Sequence, residues 1–363
     1  MADLRLGFIP LTDCAPLVVA RWLGLFAEEG LQVELSREAA WATIRDKVAV
    51  GALDGAHMLA PMALAAGLST DVAKPMIAPL ALNANGSAIT VSVALARALE
   101  EVDPAAMAAR PVTAAPLKRL VDRRRSEGAP LLTFAVVFPY SMHNYALRYW
   151  LAQAGVDPDR DVRLVVTPPP RMVEQLAAGA IDGFCVGAPW NAVAAAQGVG
   201  EILMKASQFW PGGPDKVFGV TADWALGHGD ELRAALRALI RAAAWADDPA
   251  NHGELVTLLA RPEHVGADPA AIARALEGEI VFHRDAAGLP RRDHALWFLS
   301  QMARWGQVSA DLDLEAVADQ VYRADLFRAA ALSLGPVLEP ALVFPDAAPA
   351  ALFDGTLLAS SSA

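Results

Sequence analysis

The side chains best suited to acting on a small ligand stand singly along this chain, where strands hand over to helices or turns lead into strands. Trp41 lies at such a handover. An indole there would wall a pocket and donate its Nε1–H, or would anchor the packing beneath the loop; spacing alone leaves both open. His143 closes the run 138–143, just ahead of a helix. Helix N-termini favour anions through free N–H groups and the macrodipole, and an imidazole adds a donor or a charge; a purely local hydrogen bond is the equal alternative. Lys216 follows a rigid Pro/Gly loop at the start of a strand and, by residue type alone, reads as solvent-facing. The run Asn83, Ala84, Asn85, Gly86 and Ser87 is a turn feeding a strand, suited to a hinge or to close backbone approach to a ligand.

Bond-making chemistry finds less support. There is no nucleophile elbow, no Walker A loop, no zinc-protease motif and no dinucleotide fingerprint. The seven histidines show no metal-ligand spacing. Two cysteines, Cys14 and Cys185, cannot make a zinc site, and two buried free thiols are expected rather than a disulfide. No cofactor and no metal is called for, and the chain is expected not to be an enzyme.

The elements that must position these residues come in two similar sets. Strand, helix, strand, helix, strand is the expected order over residues 4–58, with one helix over 16–29 capped by Gly30. The same order is expected over 132–186, with a helix from 145 to 154 capped by Gly155. Residues 48–62 and 176–190 are identical at seven of fifteen positions at a single offset of 128, including Gly51/Gly179, Asp54/Asp182, Gly55/Gly183 and Pro61/Pro189. That period is far too long for a solenoid and implies two similar α/β lobes, each a mostly parallel sheet with helices on both faces. Such sheets bind ligands beyond the carboxyl ends of their strands, so facing lobes place a ligand between them. Residues 117–128 form a basic helix, whose Arg123, Arg124 and Arg125 read most simply as a solvated face. From Gly229 onward helical patterns dominate and predict an extension packed on the first lobe; the tail after Phe344 is Ala-, Pro- and Ser-rich and is expected to fray at its end.

With 363 residues, 55% of them hydrophobic and 20% charged, the chain has ample material for a core and is no disordered polymer. A net charge of −11 argues against general nucleic-acid binding but not against an anion pocket, which is a local matter. The first ten residues carry neither a basic nor an apolar signal run, and no stretch reaches the ~20 apolar residues of a membrane span. A cytoplasmic location is expected, or a periplasmic one if an export signal has been removed.

Several segments, in order, resemble one known family: 7–11 (Gly-Phe-Ile-Pro-Leu), 41–47, 53–62, 82–86, 147–151 and 183–191. Over most of the chain, from Leu4 to about Leu326, the sequence resembles the nitrate/bicarbonate-type substrate-binding proteins (NrtA/CmpA-like), which have the type II periplasmic-binding-protein fold. The resemblance implies two α/β lobes, an interlobe ligand cleft and a C-terminal helical extension. It divides the chain into lobe one, residues 1–85 and 189–363, and lobe two, residues 86–188. It further implies one anion lined by Trp41, His143, Pro169, Val186 and Lys216, with Ser87 at a position where transporter-type members often have Gln. Ala188 stands where Glu is usual. The pairing of His143 with Lys216 is similar to the nitrate binders, whereas the bicarbonate binders place an acidic residue near the lysine position. A planar, weakly hydrated monoanion suits a few donors, one cation and an aromatic wall.

The lack of a signal run makes the chain similar to cytoplasmic NasS-type nitrate/nitrite sensors, which hold a NasT-type RNA-binding antiterminator and release it when ligand binds. The alternative is the binding component of an ABC-type uptake system, whose partner would be a permease. A third expectation, an enzyme of the thiamin-pyrimidine-synthase kind on the same fold, is disfavoured by the scarcity of cysteine.

Overall fold

A computed structural model of the chain describes residues 2–68, 74–277, 279–309, 311–335 and 351–358. Among these described residues eleven strands follow in chain order: β1 (Ala2–Phe8), β2 (Leu31–Arg37), β3 (Gly55–Leu59), β4 (Met76–Asn85), β5 (Ser87–Ser92), β6 (Thr133–Val136), β7 (Arg163–Val166), β8 (Gly183–Gly187), β9 (Gly200–Lys205), β10 (Pro214–Thr221) and β11 (Ile280–Val281). They form two sheets, ordered β11-β4-β10-β3-β1-β2 and β7-β6-β8-β5-β9. The expected strand repeat is therefore real: β1, β2 and β3 have the sheet positions of β6, β7 and β8.

The matched residues do the same work in both copies. The Asp54 carboxylate accepts the Arg5 backbone N–H at 2.7 Å, and the Asp182 carboxylate accepts that of Thr133 at 2.7 Å. Each bond pins the residue just before the third strand to the first strand of its repeat. Gly55 and Gly183 follow because an added Cβ would come within 2.9 Å of the Phe218 ring and 2.8 Å of the Phe134 ring.

Neither sheet is mostly parallel, contrary to expectation. β10 runs antiparallel to β3 and β4, and β5 antiparallel to β8 and β9. Both strands enter their sheet from the opposite lobe, which reverses their direction. The crossings are tied together: Asn85 N–H donates to the Gly213 carbonyl at 2.8 Å, and Gly212 N–H to the Asn85 side-chain oxygen at 3.1 Å. Asn85 and Gly86 have φ of 59° and 88°, a left-handed turn that Asn and Gly tolerate best.

Three expectations need correction. The helix over 16–29 is two helices, Ala15–Trp22 and Leu25–Glu28, because Gly24 takes φ 75° between them. The second lobe does not end at 188: β9 pairs with β5, so the helix Trp190–Ala196 and β9 belong with the second sheet and the return crossing lies near 210–213. The helical extension does not sit on the first lobe alone. Its long helix Gly229–Asp247 packs on Ala15–Trp22, with Trp22 and Trp245 edge to face at 5.7 Å. Its helix Arg292–Arg304 instead reaches the second-lobe helix Met142–Gln153, where Tyr145 lies 6.3 Å from Phe298 and donates its hydroxyl to Gln307 at 2.6 Å. Of the tail expected to fray, residues 351–358 pack on this helix through Tyr149, which donates to Asp354 at 2.8 Å; its end lies outside the described residues. Among the described residues no helix is long and apolar enough to cross a membrane.

Candidate functional site

The site is built from the first βα turn of each lobe, facing across the line where the sheets meet. In the first lobe β1 ends at Phe8 and runs through Ile9 into the one-turn helix Thr12–Cys14, which presents Asp13. In the second, β6 leads to Ser141, whose hydroxyl caps the helix Met142–Gln153 by accepting the Asn144 N–H at 3.0 Å, and His143 sits in its first turn. β3 contributes His57 and β10 contributes Asp215 and Lys216. The Lys216 backbone is fixed by its N–H donating to the Asn83 side chain at 3.2 Å, and Asn83 itself donates to the Asn85 carbonyl, so the crossing strands hold this lysine in place.

The side chains close into one buried cluster. Lys216 Nζ lies 2.8 Å from Asp13 Oδ2 and 2.8 Å from Asp215 Oδ2. His57 Nε2 lies 2.8 Å from Asp13 Oδ1, and His143 Nε2 lies 3.4 Å from Asp215 Oδ2. The Trp41 ring stands over the lysine, its centroid 5.6 Å from Nζ and 5.2 Å from that of His57. Lys216 and both imidazoles are 0% exposed and the two aspartates 1%. Backbone passes close by at Gly187, where a Cβ would lie 3.2 Å from Asp13 Oδ2, 3.5 Å from Lys216 Nζ and 3.6 Å from His143 Nε2. The lobes also meet through Thr12 N–H, which donates to the Ala188 carbonyl at 2.9 Å.

Electrostatics keeps the three charges. Burial alone would neutralise each group, but Lys216 and His57 hold the Asp13 carboxyl below its ordinary value. For Asp215, His143 and Lys216 more than offset burial and hold the carboxyl well below the usual carboxylate range. The two carboxylates likewise outweigh burial at Lys216 and raise its ammonium. His57 goes the other way: burial outweighs Asp13 and lowers it. Its Nδ1 accepts the Ile9 N–H at 3.3 Å, which fixes the neutral tautomer with its hydrogen on Nε2, toward Asp13.

Several buried polar atoms here have no hydrogen-bond partner among the described residues: Thr12 Oγ1, Trp41 Nε1, His143 Nδ1 and Asp215 Oδ1. Buried polar groups are nearly always paired, so these atoms make the cluster the candidate ligand site.

Of the residues expected at the site, Trp41, His143 and Lys216 come together. Val186 is buried in β8 beside Gly187, its carbonyl accepting from Asn191 at 2.7 Å. Ser87 faces Gly187 across the β5–β8 ladder and lines a separate cavity of about 310 Å³ with Ala188, Asn191 and Lys205. Pro169 is buried at the carboxyl end of β7, in the short helix Pro169–Arg171. Ala188 acts through its backbone, donating to Gly86 and accepting from Thr12. Sequence reasoning missed Asp13, His57, Asp215 and Thr12; for the first three the signal available was a charged or imidazole side chain inside or just beyond an apolar strand, and for Thr12 there was none. Cys14 and Cys185 are free and buried, as expected, and burial raises both thiols.

A family described as NMT1-like matches residues 1–260. The chain belongs to the NMT1-like family. It is 36% identical to the nitrate/nitrite binding protein NrtA of Synechococcus elongatus, over 92% of this chain and 78% of that protein. It is 37% identical to the nitrate import ATP-binding protein NrtC of Synechocystis, over 97% of this chain, but spans only 53% of that protein; it likewise spans 52% of a bicarbonate transport ATP-binding protein, CmpC, from the same organism. The crystal structure of the periplasmic nitrate-binding protein NrtA from Synechocystis superposes with a TM-score of 0.88 at 32% identity, covering 98% of this chain and 94% of that one. An alkanesulfonate-binding protein, SsuA from Xanthomonas axonopodis, shares the fold at 17% identity and a TM-score of 0.62. The chain thus has the two-lobed, periplasmic-binding-protein-like fold.

Proposed function

We propose that this protein is a receptor for nitrate or nitrite, held at the cluster between the lobes. The observation that carries the reading is a fully buried lysine, Lys216, beside donors with no partner among the described residues, Trp41 Nε1, Thr12 Oγ1 and His143 Nδ1. A small anion is the ligand such donors lack, and relatives named for nitrate and nitrite binding support its identity. Ser87, Pro169 and Val186 complete the ligand-lining set of this reading.

The sheets are the bodies that move, hinged at Asn85–Gly86 and at the return crossing near Gly212. Lys216 and Asp13 belong to one and His143 to the other, so a bridging anion favours the shut form. For the use of that binding, the reading is a cytoplasmic sensor that holds a NasT-type antiterminator in its open form and releases it on closure. Delivery to an ABC permease is the second reading, favoured by the likeness to nitrate import ATP-binding proteins. No catalysis is part of either.

The test is calorimetric titration with nitrate, nitrite and hydrogencarbonate. Binding of nitrate or nitrite without hydrogencarbonate is expected, and Lys216→Ala is expected to weaken it by about 100-fold, the worth of one buried charge-assisted contact. Equal affinity in a folded Lys216→Ala protein refutes the site. Capture of the antiterminator without nitrate and its release with nitrate separates sensor from uptake component.

A further inference from the structure

We propose that Arg45 and Phe138 form a latch across the mouth of the cleft, and that this latch sets how long nitrate stays bound. The proposal rests on the nitrate reading above. Lys216, His57 and His143 are 0% exposed, so an anion reaches or leaves them only when the two lobes part. Any side-chain contact that spans the rim of the cleft must then break at each entry and each exit.

Arg45 and Phe138 make such a contact. Arg45 is on the helix Trp41–Ala49 of the first lobe, four residues after Trp41. Residues four apart share a helix face, so the guanidinium lies one turn along from the indole that covers Lys216. Exposure rises over that turn from 1% at Trp41 to 37% for the Arg45 side chain, which puts Arg45 at the rim. Phe138 is in the turn between β6 and the helix Met142–Gln153 of the second lobe, half-buried. Its ring centroid lies 5.8 Å from the guanidinium carbon of Arg45, within reach of a cation–π contact.

Each partner is held by its own lobe. Arg45 Nε donates to the Asp46 carboxylate at 2.7 Å, which takes the edge of the guanidinium and leaves its face for the ring. The Phe138 carbonyl accepts the Ser141 hydroxyl at 2.7 Å and the Pro139 carbonyl the Asn144 side-chain amide at 2.7 Å, tying the turn to the start of the helix that carries His143. The Tyr140 ring supports that of Phe138 at 6.2 Å. The repeat does not call for the pair: at the offset of 128 the matching positions are Val173 and Pro10. The contact thus joins the lobes at the mouth without being something that each lobe needs in order to fold. Because it belongs to the shut arrangement, losing it speeds release and leaves the approach of the anion to parted lobes unchanged.

The experiment is a double-mutant cycle on the whole chain, with Arg45→Met, Phe138→Leu and the two combined, each titrated calorimetrically with sodium nitrate. Each single variant is expected to weaken binding about two- to fivefold, and the double variant to be no weaker than the weaker single one. Arg45→Met also removes a charge, and the cycle isolates the coupling to the ring from that effect. Stopped-flow tryptophan fluorescence on dilution of the complex is expected to place the Phe138→Leu loss in koff, with kon unchanged. Losses that multiply independently, or parental affinity in Phe138→Leu, overturn the latch while leaving the receptor reading intact. Absence of nitrate binding by the parent chain overturns both.

Discussion

Lys216 is an ammonium with no contact to water, held by two carboxylates contributed from positions 13 and 215. Removing it strands both, and Lys216→Met is expected to cost about 3–5 kcal/mol in urea unfolding. Linkage gives that stability a window. The raised Lys216 contributes fully below the ordinary lysine value of 10.5 and its contribution is lost as pH rises beyond it. The lowered Asp13 and Asp215 contribute above 3.8 and lose their share as pH falls below it. Buried His294 works in between. Burial outweighs Asp293 and lowers it from 6.5 to about 4, so the unfolded chain takes a proton there that the folded chain refuses. Unfolding free energy should fall as pH drops from 6.5 toward 4, by up to about 3 kcal/mol from this group, and His294→Gln should flatten that slope. Little of the charged cluster was legible in the sequence. Trp41, His143 and Lys216 were reachable through family resemblance; Asp13 was not, because the bond that gives it meaning joins residues 203 apart. Asp215 was in plain view beside Lys216, but its role depends on where Asp13 and His143 arrive.

At the scale of the element, the repeat was the most legible feature, and its identities have separate causes. Asp54 and Asp182 each accept a backbone N–H from the first strand of the repeat in their sheet. Gly51 and Gly179 have φ of 74° and 69° with open space around them, whereas Gly55 and Gly183 lie against aromatic rings. Alanine should therefore hurt for different reasons. Gly179→Ala is expected to cost about 1 kcal/mol through backbone strain. Gly183→Ala, whose Cβ would also lie 3.0 Å from the Thr90 carbonyl oxygen, is expected to cost about 1–3 kcal/mol through overpacking, both read from urea midpoints. Helix periodicity ran through Gly24 because alternation of apolar residues does not register a single left-handed residue. Strand direction was lost for β5 and β10 because direction is set by the lobe from which the chain arrives.

Across the whole molecule, the extension joins what the crossings leave hinged. It is rooted on the first lobe, where Tyr322 donates to the Ala60 carbonyl at 3.2 Å, and reaches the second through Trp297, which lies 6.4 Å from Tyr149 and 4.8 Å from Trp210. Trp297→Ala is expected to cost about 3–5 kcal/mol and to raise amide exchange along Met142–Gln153 more than along Ala15–Trp22, measured by hydrogen exchange. This straddling was invisible in sequence, since a helix pattern states that a face is buried and not what buries it. The matched aspartates carry a last consequence. One bond is built twice, over the same 49-residue span, once in the half that carries Lys216 and once in the half that carries His143. Asp54→Ala and Asp182→Ala are thus the same lesion delivered to opposite jaws, each serving as the other's internal control, and the ratio of their effects on ligand affinity reads out which jaw does the gripping.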